Sequence, residues 1–281
     1  TCEQPLKKRN LVRDKIGFEL LSDLEELDQD QGEGWNRLRK SIKESKPLKP
    51  EPRSPKPYQL DAIEKTEIYF LKQSGNTRGK LIMPCGTGKS LTAFWISKIF
   101  NPKYILYLVP SLQLVKQIIK TWSREFLALG IQAEILPVCS DDTVRKIEDD
   151  EFISNIQELG IRSTTEKAEI QKFLSKAGSK TKIAIATYDS GKTLADASKE
   201  IGHTFDIGIF DEAHKTCGSS NKRNAHLLFE KNVSIARRLF MTATERRFRG
   251  SSSTITSMDD PRIYGLRPYP DGRCRSSDPH H

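Results

Sequence analysis

An α/β fold, with a mainly parallel sheet and helices on both faces, is predicted by three observations. From Tyr58 onward, short apolar runs alternate with longer amphipathic segments, the pattern of successive βαβ units. Two of these runs, Tyr104-Ile105-Leu106-Tyr107-Leu108-Val109 and Ile207-Gly208-Ile209-Phe210, are apolar throughout, as strands covered on both sides must be. Between an earlier run, Gly79-Lys80-Leu81-Ile82-Met83, and the helix after it lies Pro84-Cys85-Gly86-Thr87-Gly88, a glycine-bearing turn of the kind that joins a buried strand to a helix.

The elements follow in order. Residues 1–56 stand apart: 16–24 and 35–42 have amphipathic helical spacing, and Pro47, Pro50, Pro52 and Pro55 among charges give a linker composition. Apolar periodicity predicts helices over 58–73, 89–100, 111–129, 165–177 and 190–199. Strands are expected at 80–83, 104–109, 133–138, 182–187, 207–210 and 238–241. Residues 141–159 are charged and weakly periodic, which reads as a loop with one short helix. Three divisions result: an N-terminal helical extension and linker (1–56), a core domain (57–265), and a vector-derived or disordered tail (266–281). Because the first residue is Thr and the chain ends in Gly272-Arg273-Cys274-Arg275-Ser276-Ser277-Asp278-Pro279-His280-His281, a piece cut from a longer protein is expected.

Composition excludes several classes. The 281 residues are 36% hydrophobic and 30% charged, an ordinary globular balance, and no apolar block is long enough for a membrane span. Cys2, Cys85, Cys139, Cys217 and Cys274 are widely separated with no C-x-x-C pair, so neither a zinc site nor a disulfide framework is suggested. A reduced, cytoplasmic protein without membrane contact is expected. The net charge of +9, from 46 Lys+Arg against 37 Asp+Glu, permits a polyanionic partner, though the opposing charges are mixed along the chain.

The turn at 83–90 carries the chemistry. Gly86 and Gly88 lack a Cβ, so the backbone can curl and aim several N–H groups at anionic oxygens, beside the positive end of the next helix. Lys89 would reach the β/γ-phosphates of a nucleotide and the Ser90 hydroxyl would ligate Mg²⁺. The fuller pattern wants Gly where this chain has Met83, and taken alone the stretch equally reads as a turn before a helix. A second buried strand ends in Asp211-Glu212, which alone would read as a helix cap. Beside a phosphate loop, Asp211 would hold Mg²⁺ and Glu212 would orient and deprotonate water.

Gly86-Thr87-Gly88-Lys89-Ser90 with Asp211-Glu212-Ala213-His214 resembles motifs I and II of superfamily-two helicases and translocases of DEAD/DEAH type. The resemblance implies the first RecA-like domain of a two-domain motor, with ATP and Mg²⁺ as cofactors. Pro57-Tyr58-Gln59 resembles the segment whose glutamine reads adenine, which implies Gln59 in that role. Val109-Pro110-Ser111 resembles motif Ia and Ala186-Thr187-Tyr188 resembles motif Ib, implying phosphate contacts to nucleic acid at Ser111 and Thr187. As isolated hydroxyls, both are also ordinary helix caps. Met241-Thr242-Ala243-Thr244 resembles motif III, whose threonines, with His214, couple the ATP site to nucleic acid. The wording of these motifs, with Ser163-Thr164-Thr165-Glu166 and Ser257-Met258-Asp259-Asp260, is similar to the motor subunits of restriction-modification and phage-defence enzymes.

The implied function is the N-terminal motor of an ATP-dependent DNA helicase, acting on double-stranded DNA and joined to a nuclease or methyltransferase module. Alternatives are a DEAH-type RNA helicase domain and a non-catalytic scaffold. After Gly265 no second α/β unit and no arginine-finger motif is found, so this stretch is expected to bind ATP and hydrolyse it poorly without a C-terminal RecA-like partner.

Overall fold

The computed structural model describes residues 50–73, 75–139, 163–219, 223–248 and 255–266, with Asn36, Lys40 and Lys43 besides. The chain divides into two compact units, Thr1–Pro52 with Leu127–Leu129, and Arg53–Phe126 with Gly130–His281. In the first, Asn36, Lys40 and Lys43 are helical, while the helix expected at 16–24 lies outside the described residues. So do the loop at 141–159 and the tail beyond Leu266.

In the second unit six strands form one parallel sheet: β1 (Arg78–Ile82), β2 (Tyr104–Val109), β3 (Ala133–Val138), β4 (Thr181–Thr187), β5 (Thr204–Phe210) and the long strand Ser234–Thr242. A two-residue strand, Gly218–Ser219, falls between and is β6, so the long strand is β7; β6 pairs antiparallel with β8 (Ile255–Thr256). The sheet order is β1-β7-β5-β2-β4-β3. The helices are α1 (Pro57–Glu67), α2 (Lys89–Ile99), α3 (Leu112–Leu129), α4 (Lys167–Ser175), α5 (Gly191–Glu200) and the single turn α6 (Pro261–Tyr264).

Strand alternation sends neighbouring residues to opposite faces. Leu106, Leu108, Ala184, Ala186, Phe210 and Phe240 join Ile170 and Leu174 of α4 and Leu194 of α5 in one buried cluster. On the other face Tyr107 meets Trp122 of α3 edge-on at 5.2 Å, and Trp122 meets Phe94 of α2 at 5.4 Å. Both faces are therefore covered, and the strands read as continuous apolar runs for that reason.

The predicted elements recur with shifted ends. The helix expected over 58–73 is α1 followed by a π-helical turn, Ile68–Lys72, which swings Tyr69 and Phe70 into the core. Lys80 and Arg238 lie inside β1 and β7 although charged, because each finds buried partners. β6, β8 and α6 have no periodic signature; they are held by distant contacts, such as Thr256 Oγ1 donating to Thr216 and Gly218 carbonyls at 3.0 and 3.1 Å.

Registration aligns the carboxyl ends of the strands. Ile82 lies opposite Thr242, Phe240 opposite Phe210, Phe210 opposite Leu108, and Val109 opposite Thr187. The loops after β1, β7, β5, β2 and β4 consequently emerge along one edge, where parallel α/β sheets place their ligands.

Candidate active site

The Met83 N–H donates to the Thr242 carbonyl at 3.0 Å as the last rung of β1, and the chain then turns away. Gly86 and Gly88 both adopt φ +76°, a left-handed conformation costly for a residue with a Cβ. Gly88 is the N-cap of α2, whose first turn carries no acidic side chain. The first-turn amides and the positive end of an eleven-residue helix thus face the loop together. Thr87 Oγ1 donates to the Pro84 carbonyl at 2.7 Å, closing the loop on itself. Among the described residues the Lys89 ammonium makes only long contacts, 3.5 Å to the Pro84 carbonyl and 3.9 Å to Glu212 Oε1.

Gln59 stands behind this loop, 4% exposed. Its Nε2 donates to the Thr87 carbonyl at 2.9 Å, and its Oε1 accepts from the Lys56 N–H at 2.8 Å, capping α1. The Tyr58 hydroxyl also reaches the Thr87 carbonyl, at 3.3 Å.

Ser90 Oγ is buried and has no hydrogen-bond partner among the described residues. The Ser90 carbonyl accepts from Trp122 Nε1 at 3.1 Å, which ties the first turn of α2 to α3. Asp211, 5% exposed, leaves β5 with its N–H on the Leu108 carbonyl at 2.8 Å. Its Oδ1 accepts from the Glu212 N–H at 2.9 Å, and the Tyr107 hydroxyl lies 3.4 Å from Oδ2. Burial pushes the Asp211 carboxyl up to about 6, against the pull of that N–H and of Lys89. Such a carboxylate is ionised at neutral pH yet short of partners.

Glu212 adopts φ 47° and ψ 46°, strained for a non-glycine residue. The turn brings its carboxylate to both Lys89 and His214, whose Nδ1 lies 3.3 Å from Oε2. His214 Nδ1 is also 2.9 Å from Thr242 Oγ1. The Thr242 hydroxyl gives its one proton to the Thr244 carbonyl at 2.9 Å, so toward His214 it accepts, and Nδ1 carries the hydrogen. The Thr244 N–H returns to Thr242 Oγ1 at 3.2 Å. Burial lowers the pKa of His214, with Glu212 pulling the other way, so the ring is neutral at neutral pH. Lys89, Glu212, His214, Thr242 and Thr244 form one chain of polar contacts across three loops.

The residues singled out for nucleic acid are placed differently. Ser111 Oγ accepts from the Leu114 N–H at 3.4 Å, and Thr187 Oγ1 accepts from the Ser190 N–H at 3.3 Å. The Ser111 hydroxyl thus caps the start of α3, whereas Thr187 closes the turn before α5, whose N-cap is Ser190. Thr187 is buried, whereas Pro110, Ser111 and Leu112 are half-exposed.

Sequence reasoning missed four side chains that shape the site. Tyr107 and Tyr188 flank Asp211; the Tyr188 hydroxyl donates to the Asp211 carbonyl at 2.7 Å. Lys80 Nζ lies 2.6 Å from Glu245 Oε1 and donates to the Met258 carbonyl at 2.6 Å, with both side chains of the ion pair 7% exposed. A phenol or an ammonium inside an apolar strand is a signal in itself, since either needs a buried partner.

Residues 53–247 match the family model of the Type III restriction enzyme res subunit. The chain belongs to this family. Within it, the domain is the RecA-like domain of a superfamily-two helicase resembling those of restriction-modification enzymes. A probable helicase of African swine fever virus, from a South African tick isolate, is 32% identical over 196 residues, 69% of this chain and 19% of the viral protein. The counterpart from a Malawian tick isolate is 35% identical over 178 residues, 63% of this chain and 18% of its own. Among solved structures, a nuclease-deletion mutant of the Type ISP restriction-modification enzyme LlaGI, in complex with a DNA substrate mimic, has 28% identity and a TM-score of 0.58. That match covers 76% of this chain and 19% of the enzyme. The ATP-dependent Type ISP enzyme LlaBIII bound to DNA has 27% identity and a TM-score of 0.58, over 76% of this chain and 15% of its own. The chain thus spans about a fifth of the length of these curated relatives. Among its described residues no helix is long and apolar enough to cross a membrane.

Proposed function

We propose that the domain binds ATP with Mg²⁺ at the carboxyl edge of the sheet and is the first motor domain of an ATP-dependent DNA helicase or translocase of restriction or phage-defence type. The observation that carries this reading is the meeting of Lys89 with Glu212 at 3.9 Å, next in sequence to Ser90, whose Oγ is buried, and to the buried Asp211, from two strands separated by β7. In this reading the phosphates lie on the amides of Gly86, Thr87, Gly88 and the first turn of α2, and Lys89 leaves its long contacts for the β/γ-oxygens.

The residues present fit a divalent cation. Ser90 Oγ is buried without a partner, and Asp211 is a buried carboxylate that burial alone drives toward protonation. Ser90 and Asp211 would hold Mg²⁺, which when bound supplies positive charge to the phosphate oxygens. Glu212 is placed to accept a proton from the attacking water, with its second oxygen steadied by His214. His214 and Thr242 carry a shift of Glu212 to the loop at Thr244. In this reading Gln59 would meet the adenine edge in addition to bracing the loop.

Nucleic-acid phosphates are assigned to the loops at the starts of α3 and α5, around Ser111 and Thr187, through backbone amides. DNA is favoured because both Type ISP relatives are described in complex with DNA or a DNA mimic. The remaining motor domain and any nuclease or methyltransferase module belong to the longer protein proposed here.

The test is ATP hydrolysis by the full-length protein. Duplex DNA should stimulate it, with a stimulation that weakens steeply with salt as counterions are released. Glu212→Gln should keep nucleotide binding and lower turnover by about 10²-fold or more. Equal stimulation by duplex RNA would contradict the DNA assignment, and unchanged turnover in Glu212→Gln would contradict the role of the base.

A further inference from the structure

We propose that Tyr107 is a positioning residue of the cation site, its hydroxyl holding one oxygen of the Asp211 carboxylate so that a lone pair of the other is left free for the cation. The inference rests on the ATP–Mg²⁺ reading above and concerns a residue outside every motif that carried it.

Tyr107 lies in the middle of β2, with Ile105 and Val109 on the same face, all fully or nearly fully buried. An aliphatic side chain would satisfy packing there, and a phenol at 0% exposure is costly unless its hydroxyl is bonded. The hydroxyl faces Asp211. It is 3.4 Å from Asp211 Oδ2, longer than the 2.7–2.8 Å typical of O–H···O bonds, so the contact is slack.

The ring itself is fixed. It packs edge-on against Trp122 at 5.2 Å and 90°, and Trp122 is held by Phe94 and by its bond to the Ser90 carbonyl at 3.1 Å. On the far side the Tyr188 hydroxyl grips the Asp211 carbonyl at 2.7 Å. With the ring and main chain held, the parts free to adjust are the Asp211 carboxylate and the Ser90 hydroxyl.

The proton direction follows from donor counting. A carboxylate oxygen can only accept, so the Tyr107 hydroxyl donates to Oδ2. Oδ1 is met by the Glu212 N–H, and the carboxylate is thereby held at both oxygens with its remaining lone pairs unused. Ser90 Oγ, buried and without a hydrogen-bond partner among the described residues, supplies the second oxygen of the site. Phenylalanine at 107 would keep the packing and remove the donor to Oδ2.

The experiment is binding of a fluorescent ADP analogue (mant-ADP) to this chain, with EDTA and across a Mg²⁺ series. Tyr107→Phe should leave affinity in EDTA within about twofold and raise the Mg²⁺ needed for half-saturation by roughly tenfold, as loss of a ligand's supporting partner does. On an Asp211→Asn background the same substitution should add nothing. Tyr107→Leu, which also retains an apolar filling, should behave alike and guards against a folding defect in either variant. A drop in affinity equal with and without Mg²⁺ would mark a structural role and overturn the proposal, as would an unchanged Mg²⁺ requirement. Should the parent chain bind no nucleotide, and Lys89→Ala behave the same, the ATP reading falls and this proposal with it.

Discussion

Gln59 Nε2 donates to the Thr87 carbonyl at 2.9 Å and occupies the space beside Gly88, where a Cβ would stand 2.7 Å from it. The glutamine that the helicase resemblance assigns to adenine is thus also a strut of the phosphate loop. The two loop glycines are therefore unequal. Both have φ +76°, but a Cβ on Gly86 would meet nothing within 4 Å. Gly86→Ala should cost about 1 kcal/mol, the left-handed penalty alone. Gly88→Ala should cost about 2–3 kcal/mol, because the strut must also move. Chemical denaturation of the two variants checks the difference, and Gln59→Ala should recover part of the loss in Gly88→Ala only.

Asp211 makes stability depend on pH in a definite direction. Its pKa is raised from 3.8 to about 6 in the folded chain. Well below pH 4 both states are protonated and the group costs nothing; as pH rises from about 4 to the folded value near 6 the unfolded chain ionises while the folded one keeps its proton, so stability is lost. Above that the penalty approaches about 2–3 kcal/mol. Asp211→Asn should therefore be more stable than the parent by that order at pH 7.5, with the advantage shrinking to near zero at pH 4. Urea unfolding of both proteins at the two pH values measures it. An advantage independent of pH would mean that the raised pKa is not its source.

Most of the sheet was legible in the sequence because strands covered on both faces must be apolar, and 104–109 and 207–210 could be little else. The turn at 83–90 and Asp211-Glu212 stood out as candidates because glycines and paired acids at strand ends are chemically unusual. Tyr107 was hidden inside one of those apolar runs: only its register opposite β5, with Asp211 just beyond, reveals a role for its hydroxyl. Lys80 was likewise read as part of a strand, while its partner Glu245 lies 165 residues away. Short-range pattern reports burial; it does not report which buried polar groups meet. The hydroxyls of Ser111 and Thr187 illustrate the converse, since the same side chains that resemble nucleic-acid ligands serve locally, Ser111 as a helix cap and Thr187 as the closure of a turn.

The segment after α6 approaches β1 so closely that only glycine fits. A Cβ on Gly265, at φ +71°, would stand 1.9 Å from the Arg78 carbonyl oxygen, a backbone atom that cannot step aside. The Leu266 carbonyl accepts from the Lys80 N–H at 3.1 Å immediately afterwards. Gly265→Ala should cost more than about 3 kcal/mol, or displace 265–266 from β1. Amide exchange would separate these outcomes: displacement alone exposes the Lys80 N–H while the Arg238 N–H, bonded to the Thr77 carbonyl at 2.8 Å, stays protected.

The central claim is that this loop holds the phosphates of ATP, and Lys89 tests it most directly. Its ammonium contributes little to the fold, with contacts of 3.5 and 3.9 Å, so Lys89→Ala should keep the parent's melting temperature within a few degrees. Calorimetric titration of ATP with Mg²⁺ into parent and variant should show affinity lowered by about 10- to 100-fold in Lys89→Ala, the worth of a charge-assisted phosphate contact. Equal affinity in the two proteins would contradict the account.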